Sequence, residues 1–327
     1  MPRSEKLLEV KELSTKFKSM RGWVTAVDGV SFSVGRGEIL GIVGESGCGK
    51  SVTSQSIMRL YDEQELVRYD GEVIFNGEDL MKKSEREMER VRGNQIAMIF
   101  QDAMTALNPL YTIGNQIAEA VMIHQHVKKL AAYELAEEIL RLTGIPSPRE
   151  RLRSYPHELS GGMRQRAMIA VALACRPQLL ISDESTTALD VTIQAQIIRL
   201  LVNLKWQLDM GIMLITHDLG IVAQTCQKVI IMYLGHIVEE GGVEEIFDNP
   251  LHPYTAGLLK SIPTMRTRKD EKLYMIRGTV PPLDEIKTGC RFYDRCAVSD
   301  ARCAQEKPRL QSFGNGHGVR CFSPQAA

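Results

Sequence analysis

The densest chemistry in the sequence lies in Gly44-Glu45-Ser46-Gly47-Cys48-Gly49-Lys50-Ser51. The stretch fits G-x-x-x-x-G-K-[ST], a loop whose glycines let the backbone turn sharply and aim its N–H groups inward at a polyphosphate. Lys50 is placed to reach the β- and γ-phosphates and the Ser51 hydroxyl to bind Mg²⁺. The apolar run 39–43 before the loop predicts a buried strand, and 52–60 after it predicts a helix whose N-terminus adds positive potential. Strand, loop and helix are the context this motif requires. The chain is expected to bind a nucleoside triphosphate.

A second anion site is written at Leu159-Ser160-Gly161-Gly162-Met163-Arg164-Gln165-Arg166. A serine and two glycines open a helix there, offering bare N–H groups and a hydroxyl, although the same residues also make an ordinary N-cap. Downstream, the apolar run 179–182 ends in Asp183 and Glu184. Asp183 suits Mg²⁺ held through water, and Glu184 suits polarising an attacking water. Thr187-Ala188-Leu189-Asp190 follows directly, and Ile215-Thr216-His217-Asp218 closes the next apolar strand.

Of the 7 cysteines, Cys48, Cys175 and Cys226 are scattered and read as small buried thiols. Cys290, Cys296, Cys303 and Cys321 crowd into the end of the chain with spacing Cys-x5-Cys-x6-Cys-x17-Cys. In the reducing cytosol expected for this chain, that crowding favours a metal over disulfides. Structural zinc sites usually contain a Cys-x2-Cys pair, which this tail lacks, and four thiolates also satisfy a [4Fe–4S] cluster. Arginines 291, 295, 302 and 320 could offset part of the thiolate charge. His317 reads as a solvated surface histidine, and His252 as part of a turn with Pro253.

These residues are carried by an α/β pattern. Strand-like stretches at 7–13, 26–34 and 71–75 come first, the last closed by the Asn76-Gly77 turn signal. Residues 82–92 are helical by composition, 96–100 is a buried strand, 113–143 is mostly helical, and 163–175 is a long helix. Strands at 179–182, 212–216 and 229–232 then alternate with helices at 192–208 and 219–225, which argues a largely parallel sheet with an inserted helical layer. Periodicity weakens beyond Gly235, so a domain boundary is expected near 240, dividing 1–240 from 241–327. Lys plus Arg and Asp plus Glu both number 40. That balance leaves no basic field to recruit nucleic acid. No apolar run approaches the ~18–20 residues that span a bilayer, so a cytosolic chain is expected, reaching a membrane only through a partner.

The motifs, in this order, resemble those of the nucleotide-binding subunits of ABC transporters over residues 7 to about 240. The resemblance implies a P-loop NTPase core with an antiparallel β layer and a helical subdomain inserted at about 102–162. It implies that Phe17 stacks on adenine, that Gly44 to Ser51 is the Walker A loop, and that Gln101 senses Mg²⁺ and the γ-phosphate. It makes Ser160, Gly161, Gly162 and Gln165 part of the signature, Asp183 and Glu184 the Walker B aspartate and catalytic glutamate, Asp190 a D-loop residue, and His217 a γ-phosphate switch. Two such subunits pair head to tail in the family, which suits a second anion site without a second phosphate loop. Either a heterodimer or a homodimer would serve. Cys48, Ser182 and Ser185 depart from the usual pattern, where a Ser, an apolar residue and a Pro are common.

A narrower resemblance, to the oligopeptide/dipeptide importer ATPases, rests on Gly44 to Gly47, on Phe100 to Pro109, on Asp190 to Gln196, on Leu251-His252-Pro253-Tyr254-Thr255, and on Gly289-Cys290-Arg291-Phe292 with Arg295-Cys296. It implies a 241–327 extension with a four-cysteine [4Fe–4S] tail, zinc being the alternative. The expected partners are a second ATPase subunit, two membrane permeases and an extracytoplasmic peptide-binding protein, and the place is the cytoplasmic face of the membrane. Relatives handling nickel, glutathione or antimicrobial peptides leave the substrate open. A soluble ABC ATPase acting on nucleic acid or the ribosome is disfavoured by the single cassette and absent heptads. A nucleotide sensor without catalysis is disfavoured by the presence of Glu184 and His217.

Overall fold

Strands buried on both faces organise the chain in this computed structural model, which describes residues 6–20, 22–61, 66–100, 106–185, 190–263, 274–286, 288–314 and 316–324. Two contact units emerge, one from residues 1–8, 33–38 and 74–214, the other from 9–32, 39–73 and 215–327.

In the second unit, which takes all but the ends of the long strands β1 (Lys6–Ser19) and β2 (Gly22–Gly35), these lie with β4 (Val67–Phe75) in the order β2-β1-β4. The alternation of β1 slips at Glu12, which takes a left-handed φ of 48°, and then resumes with buried Leu13 and Thr15. This slip is why the sequence pattern fades at Leu13 while the strand runs on. Beside this layer, β3 (Ile39–Val43) is wholly buried and pairs in parallel with β9 (Lys228–Tyr233). Runs of Ile, Leu and Val without polar alternation are what burial on both faces selects.

β9 turns back antiparallel into β10 (His236–Gly242), and β10 accepts β12 (Gly318–Val319), which pairs in turn with β11 (Gln311–Ser312). Position 240, where the sequence suggests a boundary, therefore falls inside a strand. The last residues of the chain extend the same sheet that holds β3.

In the first unit, β6 (Ile96–Ile99) lies parallel to β7 (Leu179–Asp183), and β8 (Gly211–Ile215) lies next to β7. β4 reaches this unit through Ile74 and Phe75, which pair with β5 (Glu78–Asp79) across the Asn76-Gly77 turn. Both turn residues have positive φ, 49° and 83°, as a tight hairpin demands. After α1 (Lys50–Ile57) and α2 (Glu85–Val91), the helical pattern of 113–143 resolves into α3 (Ile113–Gln125) and α4 (Lys129–Leu142), because His126 caps α3 in the left-handed region. Thr112 caps α3 at its other end by accepting from the Asn115 N–H. Ile113, Ile117 and Val121 form one buried stripe at helical spacing, and Ala132, Ala136 and Ile139 form another. Short α5 (Pro148–Arg151) and α6 (Gly161–Ala172) complete this layer, and α7 (Val191–Leu208) follows β7. Among the described residues, no helix is long and apolar enough to cross a membrane.

Candidate functional site

The phosphate loop springs from the end of β3 in the second unit. Gly44 is forced by space: a Cβ there would lie 2.3 Å from the Met232 carbonyl oxygen. Gly49 is forced by conformation, with φ of +102°, and a Cβ would meet the Ala26 carbonyl oxygen at 2.9 Å. Lys50 opens α1 and is buried, its ammonium donating to the carbonyls of Gly44 at 2.9 Å and Glu45 at 3.1 Å. The loop thus folds around the lysine's own charge. Ser46 and Gly47 are exposed at its tip, whereas the thiol of Cys48 is buried 3.8 Å from Lys50 Nζ and pushed up in pKa by that burial. Phe17 is half-buried and meets Tyr61 edge to face, the ring centroids 4.9 Å apart.

His217 follows β8 and is exposed, just before α8 (Leu219–Thr225), whose first N–H groups are capped by Asp218. It lines a cleft of about 370 Å³ together with Val43, Gly44, Glu45 and Arg295. The sequence pattern does not indicate that Arg295 belongs here. Its guanidinium grips the Glu45 carboxylate through two nitrogens, at 2.5 and 3.0 Å, and Tyr254 OH accepts the Glu45 backbone N–H at 2.9 Å. Tyr254 sits in α9 (Pro253–Lys260), which His252 caps by accepting the Tyr254 N–H on Nδ1 at 3.0 Å. His252 is therefore the turn residue that its sequence suggests.

Two more carboxylates, half-buried Asp28 and buried Glu239, anchor the tail. Asp28 takes hydrogen bonds from His236, Arg291 and Lys307, which hold its carboxyl below the usual range. Glu239, fully buried on β10, accepts the N–H groups of Leu251 and His252 and bonds His317 at 2.8 Å. His317 is itself buried, so the expectation of a solvated histidine is corrected: the ring is drawn in by Glu239 as β12 adds to the sheet edge.

In the first unit, Asp183 ends β7 buried, and Glu184 is half-buried with a left-handed φ of 44°. A non-glycine residue in that region marks a held, strained turn. Ser182 and Ser185 bracket it, their hydroxyls 2.7 Å apart. Buried Gln165 on α6 donates its side-chain amide to the Ser185 carbonyl. Ser160, exposed at the N-cap of α6, accepts the Met163 N–H at 3.4 Å, and Asp190 caps α7 by accepting the Ile193 N–H at 2.9 Å. Gln101 and residues 187–189 lie outside the described residues.

Cys290, Cys296, Cys303 and Cys321 line one narrow cavity, walled also by His252, Phe292, Val298 and Phe322. Burial pushes the Cys290 thiol up to about 11 and raises the other three. Among the described residues, no group of three or more His, Cys, Asp or Glu is gathered as a site for a metal ion. Cys48, Cys175 and Cys226 are buried, as their scattering suggests.

Residues 27–187 match the family model described as ABC transporter, and 238–303 match the one described as the C-terminal region of oligopeptide/dipeptide transporters. The chain is 54% identical over 98% of its length, and 96% of the relative's, to a probable peptide ABC transporter ATP-binding protein of Sinorhizobium fredii. The chain belongs to the ATP-binding subunits of the oligopeptide/dipeptide ABC transporter family. It is a transport ATPase of ABC type. The oligopeptide transport ATP-binding protein of Bacillus subtilis is 49% identical, covering 98% of this chain and 90% of its own. The dipeptide transport ATP-binding protein of Escherichia coli is 48% identical, covering 97% of each.

Solved structures agree on the ABC ATPase fold, with its antiparallel β subdomain and helical insert. A dimeric ATP-binding cassette holding ADP and Pi superposes with a TM-score of 0.64 at 24% identity, over 72% of this chain and 98% of that one. A transporter-complex component of Clostridium perfringens gives the same TM-score, 0.64, at 26% identity, over 75% and 91%. ATP and Mg²⁺ binding is typical of ABC ATPases of this kind.

What sequence reading missed in this ATPase is the support of the loop by Tyr254 and Arg295, and the anchoring of the tail by Asp28 and Glu239. Tyr254 and Arg295 both stand inside stretches that carry the peptide-importer resemblance, and that was the one available signal.

Proposed function

We propose that this chain hydrolyses ATP to power import of di- or oligopeptides, closing on ATP against a second ATPase subunit and driving two permeases at the cytoplasmic face of the membrane. The observation that carries this reading is the buried Lys50 inside the glycine loop, braced by a C-terminal region of peptide-transporter type. In this reading Lys50 leaves the loop carbonyls for the β- and γ-phosphates, while Ser51 and Asp183 hold Mg²⁺. Phe17 stacks on the adenine. Glu184 polarises the attacking water, and Gln101 and His217 attend the γ-phosphate. Ser160, Gly161 and Gly162 present N–H groups and a hydroxyl to ATP on the partner subunit. Asp190 stands near that junction, and an extracytoplasmic binding protein delivers the peptide to the permeases.

The reading is tested with the transporter reconstituted from this chain, its partner ATPase, its permeases and its binding protein. Di- or oligopeptide loading of the binding protein should raise ATP turnover. Stimulation by nickel or glutathione and none by peptides would overturn the substrate class while leaving the ATPase reading intact.

In this reading the four cysteines that line one cavity hold a [4Fe–4S] cluster, one thiolate for each iron, once they draw closer together than they stand here. A single zinc is the alternative, less favoured because the Cys-x2-Cys pair usual in structural zinc sites is absent. When bound, such a cluster would supply folding energy to the 241–327 region and could respond to redox state. Anaerobically purified protein should be brown and carry about four irons per chain. One zinc and no iron would favour the alternative, and neither metal would end both.

A further inference from the structure

We propose that Arg295 is a positioning residue for ATP binding, neutralising Glu45 at the start of the phosphate loop and so making nucleotide affinity depend on the cysteine-bearing tail. The inference rests on ATP binding at this loop and is independent of what the cysteines hold.

Glu45 is fixed at every polar group. Its carboxylate takes the Arg295 fork, its N–H goes to Tyr254 OH, and its carbonyl accepts Lys50 Nζ. Arg295 is in turn locked. Its side chain is only 6% exposed, its Nε donates to the Arg277 carbonyl at 2.9 Å, and its guanidinium lies 5.7 Å from the Tyr233 ring centre. A planar, two-pronged grip of this kind fixes direction as well as charge, which a lysine cannot reproduce.

The charge matters because the loop must accept a polyanion. Glu45 adjoins Gly44 at the start of the loop, so an uncompensated carboxylate there would repel the incoming phosphates. Paired with Arg295, it adds no net charge. The loop then keeps its shape without losing its attraction for anions.

The same elements wall the cysteine cavity. Cys296 follows Arg295 directly. Phe292, on the cavity wall, packs on Tyr233, Tyr254 and His252 with ring centroids 5.2, 5.3 and 5.7 Å apart. Phe292 is thus shared between the cavity and the aromatic group that carries the Tyr254 hydroxyl. A change in the cavity that moves this wall also moves Arg295 and Tyr254, and through them Glu45.

The test measures Mg²⁺–ATP affinity in the full-length chain and ATP turnover in the assembled transporter. Arg295→Met should weaken ATP binding about tenfold or more, and Arg295→Lys should recover only part of it. Turnover at saturating ATP should change far less, because the group acts on binding. Adding Glu45→Gln to Arg295→Met should restore most of the lost affinity, since the exposed charge is then gone. Cys296→Ser should weaken ATP binding in the parent and have little further effect in Arg295→Met. Should Arg295→Met fail to fold, Glu45→Gln with Arg295→Met serves as the folded reference for the Cys296 comparison, where no effect on affinity is expected. Unchanged affinity in a folded Arg295→Met chain, or purely additive losses in the double variant, would overturn the positioning role. Equal effects of Cys296→Ser with and without Arg295 would overturn the link to the tail.

Discussion

Ser182 and Ser185 satisfy each other: their hydroxyls lie 2.7 Å apart, both residues are buried, and Glu184 sits between them. In sequence each looks like a separate departure from the ABC pattern, a polar residue for an apolar one and a serine for a proline. In the structure they form one device. The hydroxyl pair closes the turn on one side, and the Gln165 amide holds the Ser185 carbonyl on the other. Glu184 is thereby kept in the left-handed backbone that its side chain resists.

The pair makes a direct prediction about stability. Ser182→Ala should leave the Ser185 hydroxyl buried without its partner and cost about 1–3 kcal/mol. Ser185→Ala should cost a similar amount for the same reason. The double alanine variant should be destabilised by less than the sum of the two, because neither donor nor acceptor is then stranded. Urea unfolding of the four proteins gives the cycle, and strict additivity would show that the hydroxyls do not act as a pair.

A second prediction concerns the residue that this turn presents. Glu184→Gln keeps the size and the backbone but removes the carboxylate. Mg²⁺–ATP should still bind, while turnover should fall by ~10²–10⁴-fold, the usual loss when one acid–base group is removed. Single-turnover measurements separate the two. Hydrolysis at the parent rate would assign the general base elsewhere.

The parts legible in the sequence were those carried by local pattern. The phosphate loop, the Asn76-Gly77 hairpin and the buried strands each follow from neighbours within a few residues. The long extent of β1 was hidden because the slip at Glu12 breaks its alternation. The split at His126 was hidden because no glycine or proline marks it, and only its φ of 54° reveals the cap. The contacts that support the loop and anchor the tail were illegible for a different reason. Asp28 meets Arg291 and Glu45 meets Arg295 across more than two hundred residues of chain, a pairing no local pattern can encode. His317 illustrates the same limit, since its burial depends on Glu239 and not on its glycine-rich neighbours.

The last prediction follows from His236 and sets how the protein responds to acid. His236 bonds Asp28 through Nε2 at 3.0 Å, yet burial pulls its pKa from 6.5 down to about 3. Burial prevails because Arg291 and Lys307 already share the Asp28 carboxylate, and with Arg320 they oppose a further positive charge. The imidazole is therefore neutral at pH 7 and donates Nε2–H to an ionised Asp28. A base depressed in the folded state contributes nothing adverse above pH 6.5. As pH falls below 6.5, the unfolded chain takes up a proton that the folded chain refuses, so stability declines from there towards about pH 3. At pH 5 the loss from this one group should be about 2 kcal/mol. His236→Gln supplies an amide donor for Asp28 and cannot titrate, so unfolding free energies at pH 7.5 and pH 5 should differ by about 2 kcal/mol less in the variant than in the parent. An identical difference in both proteins would mean that His236 takes no part in the acid response.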